Sequence, residues 1–181
     1  MIMYFKRFRK WALLILAVLS IPFLLSIISE EVQWSSEDYI IMASALAVIA
    51  CIYEFATNVK RTRLYKYATV VALLGAFLLF WVNGAVGIIG SEDQSVNLLY
   101  AVVIVVLLIG SFYTKLEARG MAMTLVVTAV CQMIVPLVAL VFWPPNTISW
   151  SPGVAGVFLL SGFFSVLFMI SALMFRRSAV Q

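Results

Sequence analysis

Histidine is absent from this 181-residue chain, and only 11% of its residues are charged. Without histidine the chain lacks the commonest general base and the commonest metal ligand of proteins. Its two cysteines, Cys51 and Cys131, both lie in apolar runs, so the sequence predicts neither a disulfide framework nor a zinc site. An average soluble domain has about 25% charged residues, and the scarcity here excludes a soluble globular protein.

Apolar residues dominate instead, at 65% of the chain with a mean hydropathy of +1.11. A membrane-spanning helix needs about 20 of them, so the chain has room for about six spans. We place these spans at about residues 11–29, 39–57, 67–90, 95–114, 120–142 and 153–175. No intervening loop is long enough to hold a separate core. The sequence therefore predicts an all-α, polytopic transmembrane helical bundle with a single transmembrane domain over residues 1–181.

The distribution of charge predicts the orientation of this bundle. With six spans, all twelve Lys and Arg residues fall on one side, at both termini and in the second and fourth loops. Six of the eight acidic residues fall on the other side. Because basic residues stay cytoplasmic, we expect three in-out-in hairpins with both termini inside. Topology thus explains the net charge of +4 without a nucleic-acid partner.

The first span also resembles a signal peptide, because a basic stretch precedes it. Its apolar run is longer than the usual signal core of about 7–15 residues, and no small-x-small cleavage site follows. We therefore expect an uncleaved anchor.

Polar residues at membrane depth are the first candidates for function, because lipid makes them costly. Glu54 is the one acidic residue predicted inside a span. It is either an interfacial carboxylate that snorkels or pairs with the cations that follow it, or a group that handles a proton or cation. Asn83 lies in the third span. Gln132 lies mid-way along the fifth span, one turn before Pro136, which frees a backbone carbonyl. We expect Gln132 to bond that carbonyl or another helix; contact with a substrate is the alternative.

An acidic turn follows the third span. Its adjacent carboxylates, Glu92 and Asp93, are close in sequence to Asn83 and Asn97. Hard cations prefer such oxygen ligands, so these residues are candidates for a cation site at an outer mouth. The alternative is a solvated acidic loop, in which Glu92 helps to cap the fourth span.

Small residues gather in the third and sixth spans, and such faces let helices approach closely. In the third span the glycines have a second interpretation, in which they loosen the helix and free carbonyls beside a polar cavity. The predicted helix-packing residues are Gly84, Gly87, Gly90, Ser161, Gly162 and Ser165.

Catalytic motifs are missing from the sequence. It has no Gly-rich phosphate loop, no nucleophile elbow, no Cys/His pair and no metal-ligand spacing. We therefore expect no enzyme activity, no metal and no cofactor. A lipid-modifying enzyme that uses only Asp, Glu and Arg remains as a minor alternative.

Residues 81–100 read WVNGAVGIIGSEDQSVNLLY. With this motif, and over about residues 38–177, the chain resembles an uncharacterised family of small bacterial integral inner-membrane proteins. The resemblance implies a bacterial inner (cytoplasmic) membrane location and no particular activity. It also raises the rank of Asn83, Glu92, Asp93, Asn97 and Gln132 as candidate functional residues.

The leading hypothesis is a non-enzymatic membrane component or accessory subunit. Beyond the lipid bilayer, its partner is a second copy, as a homo-oligomer, or another membrane protein, bound through the small-residue faces of spans three and six. The alternative is a small transporter or channel. Its acidic outer mouth consists of Glu92, Asp93 and Asn97, with Asn83 and Gln132 deeper along the route.

Overall fold

The computed structural model describes residues 2–28, 34–58 and 61–181, with side chains described from residue 7 onward in these ranges. Within them the chain is helical and contains no β-strand. Each of six helices is long and apolar enough to cross a membrane. The prediction of an all-α, six-helix multi-pass protein is confirmed. The helices are α1 Ile2–Ile28, α2 Ser36–Thr57, α3 Arg63–Ala85, α4 Leu99–Tyr113, α5 Ala118–Phe142 and α6 Val154–Ser178.

Two helix boundaries differ clearly from the predicted spans. Helix α1 begins at Ile2, because the basic stretch before the apolar run continues the helix. Helix α3 ends at Ala85, although the third span was predicted to reach residue 90. Beyond it, Gly87 has a φ of +73°, which a right-handed helix does not allow. A 3-10 turn, Ser95–Leu98, then leads into α4.

The chain divides into two compact units, Met1–Phe55 and Ala56–Gln181. In the first unit, α1 and α2 are joined by the carboxylate of Glu54. It accepts hydrogen bonds from Arg7 Nη1 at 3.1 Å and from Trp11 Nε1 at 2.9 Å. The Trp11 ring also packs edge-to-face on Tyr53, with centroids 5.6 Å apart. The prediction of a single transmembrane domain stays a prediction.

The second unit is a bundle of α3 to α6. Helix α6 packs against α3 and α5, and α4 packs against α5. Helix α5 buries every third or fourth residue from Met121 to Ala139, which is the period of one helix face. Close packing supplies the cohesion, because lipid tails are as apolar as the side chains themselves. The most buried core residues include Leu79, Val103, Leu125, Phe164 and Phe168.

The two ends of this second unit are built differently. At one end lie the α3–α4 and α5–α6 loops, residues 86–98 and 143–153, which we call the cap. Four cap residues, Ile88, Ile89, Val96 and Trp150, belong to the buried core. At the opposite end Tyr65 donates a hydrogen bond to Leu116 O at 2.7 Å. The cap therefore closes one end of the bundle with apolar side chains.

Candidate functional site

The α3–α4 half of the cap turns at two glycines. Gly87 and Gly90 have φ values of +73° and +75°, the left-handed region that favours glycine. A Cβ on Gly87 would lie 2.5 Å from the backbone of Ser91, and one on Gly90 would lie 2.6 Å from Ser149 O. The expectation that these two glycines lie on a helix-packing face is therefore wrong. The absence of a side chain at these positions allows the loop to turn and to pack closely.

Asn97 holds this loop in place. Its side-chain Oδ1 accepts hydrogen bonds from Ile88 N at 3.2 Å and Ile89 N at 2.9 Å. Its Nδ2 donates to Ile89 O at 3.1 Å and to Ser91 O at 2.7 Å. An amide side chain offers two donor hydrogens and two acceptor lone pairs, so all of them are used. Asn97 is 3% exposed and has no capacity left for a ligand.

Asn83 supports the same loop from α3. Its Nδ2 donates to Asn97 O at 3.1 Å, across the gap between α3 and the 3-10 turn. Its Oδ1 is buried and has no hydrogen-bond partner among the described residues. The structure thus brings Asn83 and Asn97 together, as predicted, but their contact is a hydrogen bond that joins α3 to the 3-10 turn.

The carboxylates of Glu92 and Asp93 are exposed on the cap. In the described part of the chain, no group of three or more His, Cys, Asp or Glu residues is arranged to hold a metal ion. Of the predicted mouth, Asn97 is occupied by the loop backbone and the two carboxylates face outward. Both interpretations of this turn, a cation site and a solvated loop, remain predictions.

The two loops of the cap are joined to each other. Gly90 N donates to Ser151 O at 3.1 Å, and Gln94 Nε2 donates to Ser149 O at 3.2 Å. Trp150 is buried and donates from Nε1 to Trp143 O at 2.8 Å. Sequence reasoning missed Gln94, because it and its partner Ser149 are 55 residues apart and carry no local signal of pairing. It also missed Trp150, whose hydrogen bond lies within its own loop.

Gln132 lies alone in the interior of the bundle. Its side chain is 0% exposed, and within the described ranges neither Nε2 nor Oε1 has a hydrogen-bond partner. The hydroxyl of Thr128, one turn earlier, donates within α5 to Thr124 O at 2.9 Å and makes no bond to Gln132. The expectation that Gln132 bonds the carbonyl freed by Pro136, or another helix, is therefore wrong. A buried amide without partners is costly, and this one lacks an internal explanation.

Two hydrogen bonds made by serine hydroxyls show which residues of the neighbouring helices lie at the depth of Gln132. Ser165 Oγ donates to Ala129 O at 2.9 Å and fixes the register between the antiparallel helices α6 and α5. One turn toward the cap, Ser161 on α6 therefore lies at about the level of Gln132 on α5. Ser161 also shares a buried 2.8 Å hydrogen bond with Tyr100 OH on α4. Ser161 and Ser165, predicted as small packing residues, thus bond between helices.

The remaining predicted packing glycines, Gly84 and Gly162, are open. Apart from the chain neighbours and the helix's own backbone, a Cβ on either one meets no described atom within 4 Å. By contrast, a Cβ on Gly75 would lie 3.2 Å from Phe168, and one on Gly110 would lie 2.8 Å from Thr124 Oγ1. Gly75 and Gly110 are filled from within the bundle, whereas Gly84 and Gly162 are not.

Glu54, the predicted intramembrane carboxylate, belongs to the first unit. Its described partners, Arg7 and Trp11, lie on α1 rather than among the cations that follow α2. Of those cations, Lys60 lies outside the described residues, and Arg61 approaches Glu117 at 4.0 Å. Glu54 thus ties two helices together.

Comparisons with known proteins add nothing to the interpretation of the structure. No protein-family model, no curated protein and no solved structure matches this chain. The motif of residues 81–100 nevertheless has a physical account. Gly87 and Gly90 turn the chain, the isoleucines enter the core, and Asn83 and Asn97 bond the loop. The chain is a multi-pass membrane protein whose α3–α6 unit has a closed cap.

Proposed function

We propose that this protein is a non-enzymatic component or accessory subunit of the bacterial inner membrane, which associates through small-residue helix faces. The observation that carries the proposal is the open glycine on α6. Gly162 lies mid-helix, and apart from its chain neighbours and its own helix backbone no described atom comes within 4 Å of where its Cβ would be. Glycine inside a helix costs about 1 kcal/mol relative to alanine, and no internal contact of the described chain accounts for that cost here.

The face around Gly162 has the form of a helix-docking surface. Leu159, Phe163 and Val166 flank it at helical spacing and are 76%, 52% and 56% exposed. Leu159 and Val166 lie one turn before and one turn after the glycine, so its missing side chain leaves a notch in an otherwise bulky apolar face. Small residues of this kind let two helix backbones approach closely in lipid, where van der Waals contact drives association. Gly84 offers a similar opening at the end of α3.

The proposal includes an orientation and a partner class. Both termini are placed in the cytoplasm, because all twelve basic residues then stay on the cytoplasmic side. The occupant of the notch is a transmembrane helix, from a second copy or from a partner protein. No enzymatic step is assigned, since neither histidine nor a recognisable nucleophile motif is present in the sequence.

Gly162→Leu tests this proposal, because a Cβ at this position meets no described atom within 4 Å beyond its chain neighbours and its own helix backbone. Val166→Leu is the matched control, since it enlarges the same face without filling the notch. Association is measured by energy transfer between donor- and acceptor-labelled copies in lipid vesicles, and by capture of membrane partners in mild detergent. We expect Gly162→Leu to weaken association at least about tenfold, with Val166→Leu within about twofold of the parent. Equal association of all three proteins by both measurements would contradict the proposal.

A small transporter or channel is the second candidate function. The observation that favours it is the buried, unpartnered amide of Gln132 in the bundle interior. On this hypothesis the exposed carboxylates of Glu92 and Asp93 attract the solute, and Asn83 lies between them and Gln132. Asp93→Asn should then abolish ion or solute flux in vesicles without changing expression. Flux that is absent, or unchanged by the substitution, would remove this candidate.

A further inference from the structure

Several hydrogen-bonding groups around Gln132 lack partners, and they include groups outside its own side chain. The amide itself brings two N–H donors and one carbonyl oxygen, and all three lack partners in the described part of the protein. In an α-helix the backbone C=O of residue 132 would accept from the N–H of residue 136. That residue is Pro136, which has no N–H.

A third group lies at about the same depth. Tyr100 OH and Ser161 Oγ share one hydrogen bond at 2.8 Å, in which either oxygen is the donor. The pair has two hydroxyl hydrogens and uses one of them in this bond. The other has no acceptor among the hydrogen bonds of the described residues. The α4, α5 and α6 helices therefore each bring a polar group to the depth of Gln132.

We propose that Gln132 binds internal water within the α3–α6 bundle, where the water connects the Gln132 amide to the carbonyl that Pro136 frees. The unused groups include both donors and acceptors. The N–H donors oppose a cation, and the carbonyl oxygens oppose an anion. Water donates two hydrogen bonds and accepts two, so it satisfies both kinds of group. Ordered water commonly serves buried polar groups of this type, including backbone freed by proline in membrane helices.

The sign of a stability change tests this site. Gln132→Met keeps the length of the side chain and removes its polar atoms. If water is bound, the variant leaves the freed carbonyl and the water without their partner, and the protein unfolds more easily. If Gln132 is dry, the variant removes an unpaired buried amide, and the protein unfolds less easily. We expect the unfolding equilibrium constant in bicelles to rise by roughly tenfold in Gln132→Met.

A direct measurement on the unaltered protein accompanies the variant. Solid-state NMR in lipid bilayers detects magnetisation transfer from water to the side-chain amide of each glutamine. Gln94, half-buried in the cap, serves as the internal reference. We expect magnetisation transfer from water to the side-chain amides of both Gln132 and Gln94. The Gln132 side-chain signal is assigned by correlation with the backbone amide of Met133. Transfer at Gln94 without transfer at Gln132, or a Gln132→Met variant more stable than the parent, would overturn the proposal.

Discussion

Replacing Asn97 with alanine removes the side chain that holds the loop after α3. That side chain makes four hydrogen bonds to the backbone of Ile88, Ile89 and Ser91. Each such bond contributes about 1 kcal/mol net, and a buried backbone group left unpaired costs about 1–3 kcal/mol. Because all four bonds are lost together, we expect Asn97→Ala to lower the free energy of unfolding by about 4 kcal/mol.

Two other asparagines give matched controls for this experiment. Asn83→Ala removes one hydrogen bond, to Asn97 O, and is expected to lower the free energy of unfolding by about 1 kcal/mol. Asn146 is exposed in the other half of the cap, and Asn146→Ala should change stability by less than about 0.5 kcal/mol. All three variants are compared by equilibrium unfolding in bicelles.

Hydrogen exchange locates the effect within the molecule. In Asn97→Ala, the amides of Ile88 and Ile89 should exchange much faster, because they lose the acceptor Oδ1. The amides in the middle of α5 should exchange faster only as far as the loss of global stability requires. A loss of stability no larger than that of Asn83→Ala, or unchanged exchange at Ile88 and Ile89, would refute this account of the cap.

Two further predictions concern the cap and the bundle interior. Gly87→Ala should destabilise the protein by about 2 kcal/mol or more in bicelle unfolding, because its Cβ meets backbone at 2.5 Å and its φ is +73°; an effect below about 0.5 kcal/mol would contradict the loop geometry. Tyr100→Phe and Ser161→Ala should couple by about 0.5–1.5 kcal/mol in a double-mutant cycle, since they share one buried hydrogen bond. Strict additivity would show that this bond contributes nothing.

The number and type of helices could be predicted because they follow from local composition. A run of about 20 apolar residues has few options in lipid, where every backbone group needs an internal partner. The same reasoning from hydropathy predicts the end of α3 at residue 90, whereas the helix ends at Ala85. Residues 86–90 are apolar enough to continue a helix, but Gly87 and Gly90 allow the chain to turn, and contacts with Asn97 and Ser151 hold the loop. A hydropathy pattern does not predict those contacts.

The candidate site was harder to predict because its partners are distant in sequence. Glu54 was expected to pair with cations that follow it, whereas its partners Arg7 and Trp11 precede it by 47 and 43 residues. The sequence predicts Asn97 as part of a cation site, whereas its side chain bonds the backbone of the loop. The rotation of each helix decides which polar groups meet, and composition alone does not set that rotation.

The most direct test of the central claim is the intact mass of the complex purified from its native membrane in mild detergent, with identification of everything bound. A single chain has a mass of 20.1 kDa. The account predicts a larger complex, either a homo-oligomer or a stoichiometric assembly with another membrane protein, and predicts its loss in Gly162→Leu. A lone chain of 20.1 kDa in the parent protein, with no membrane protein bound, would contradict it.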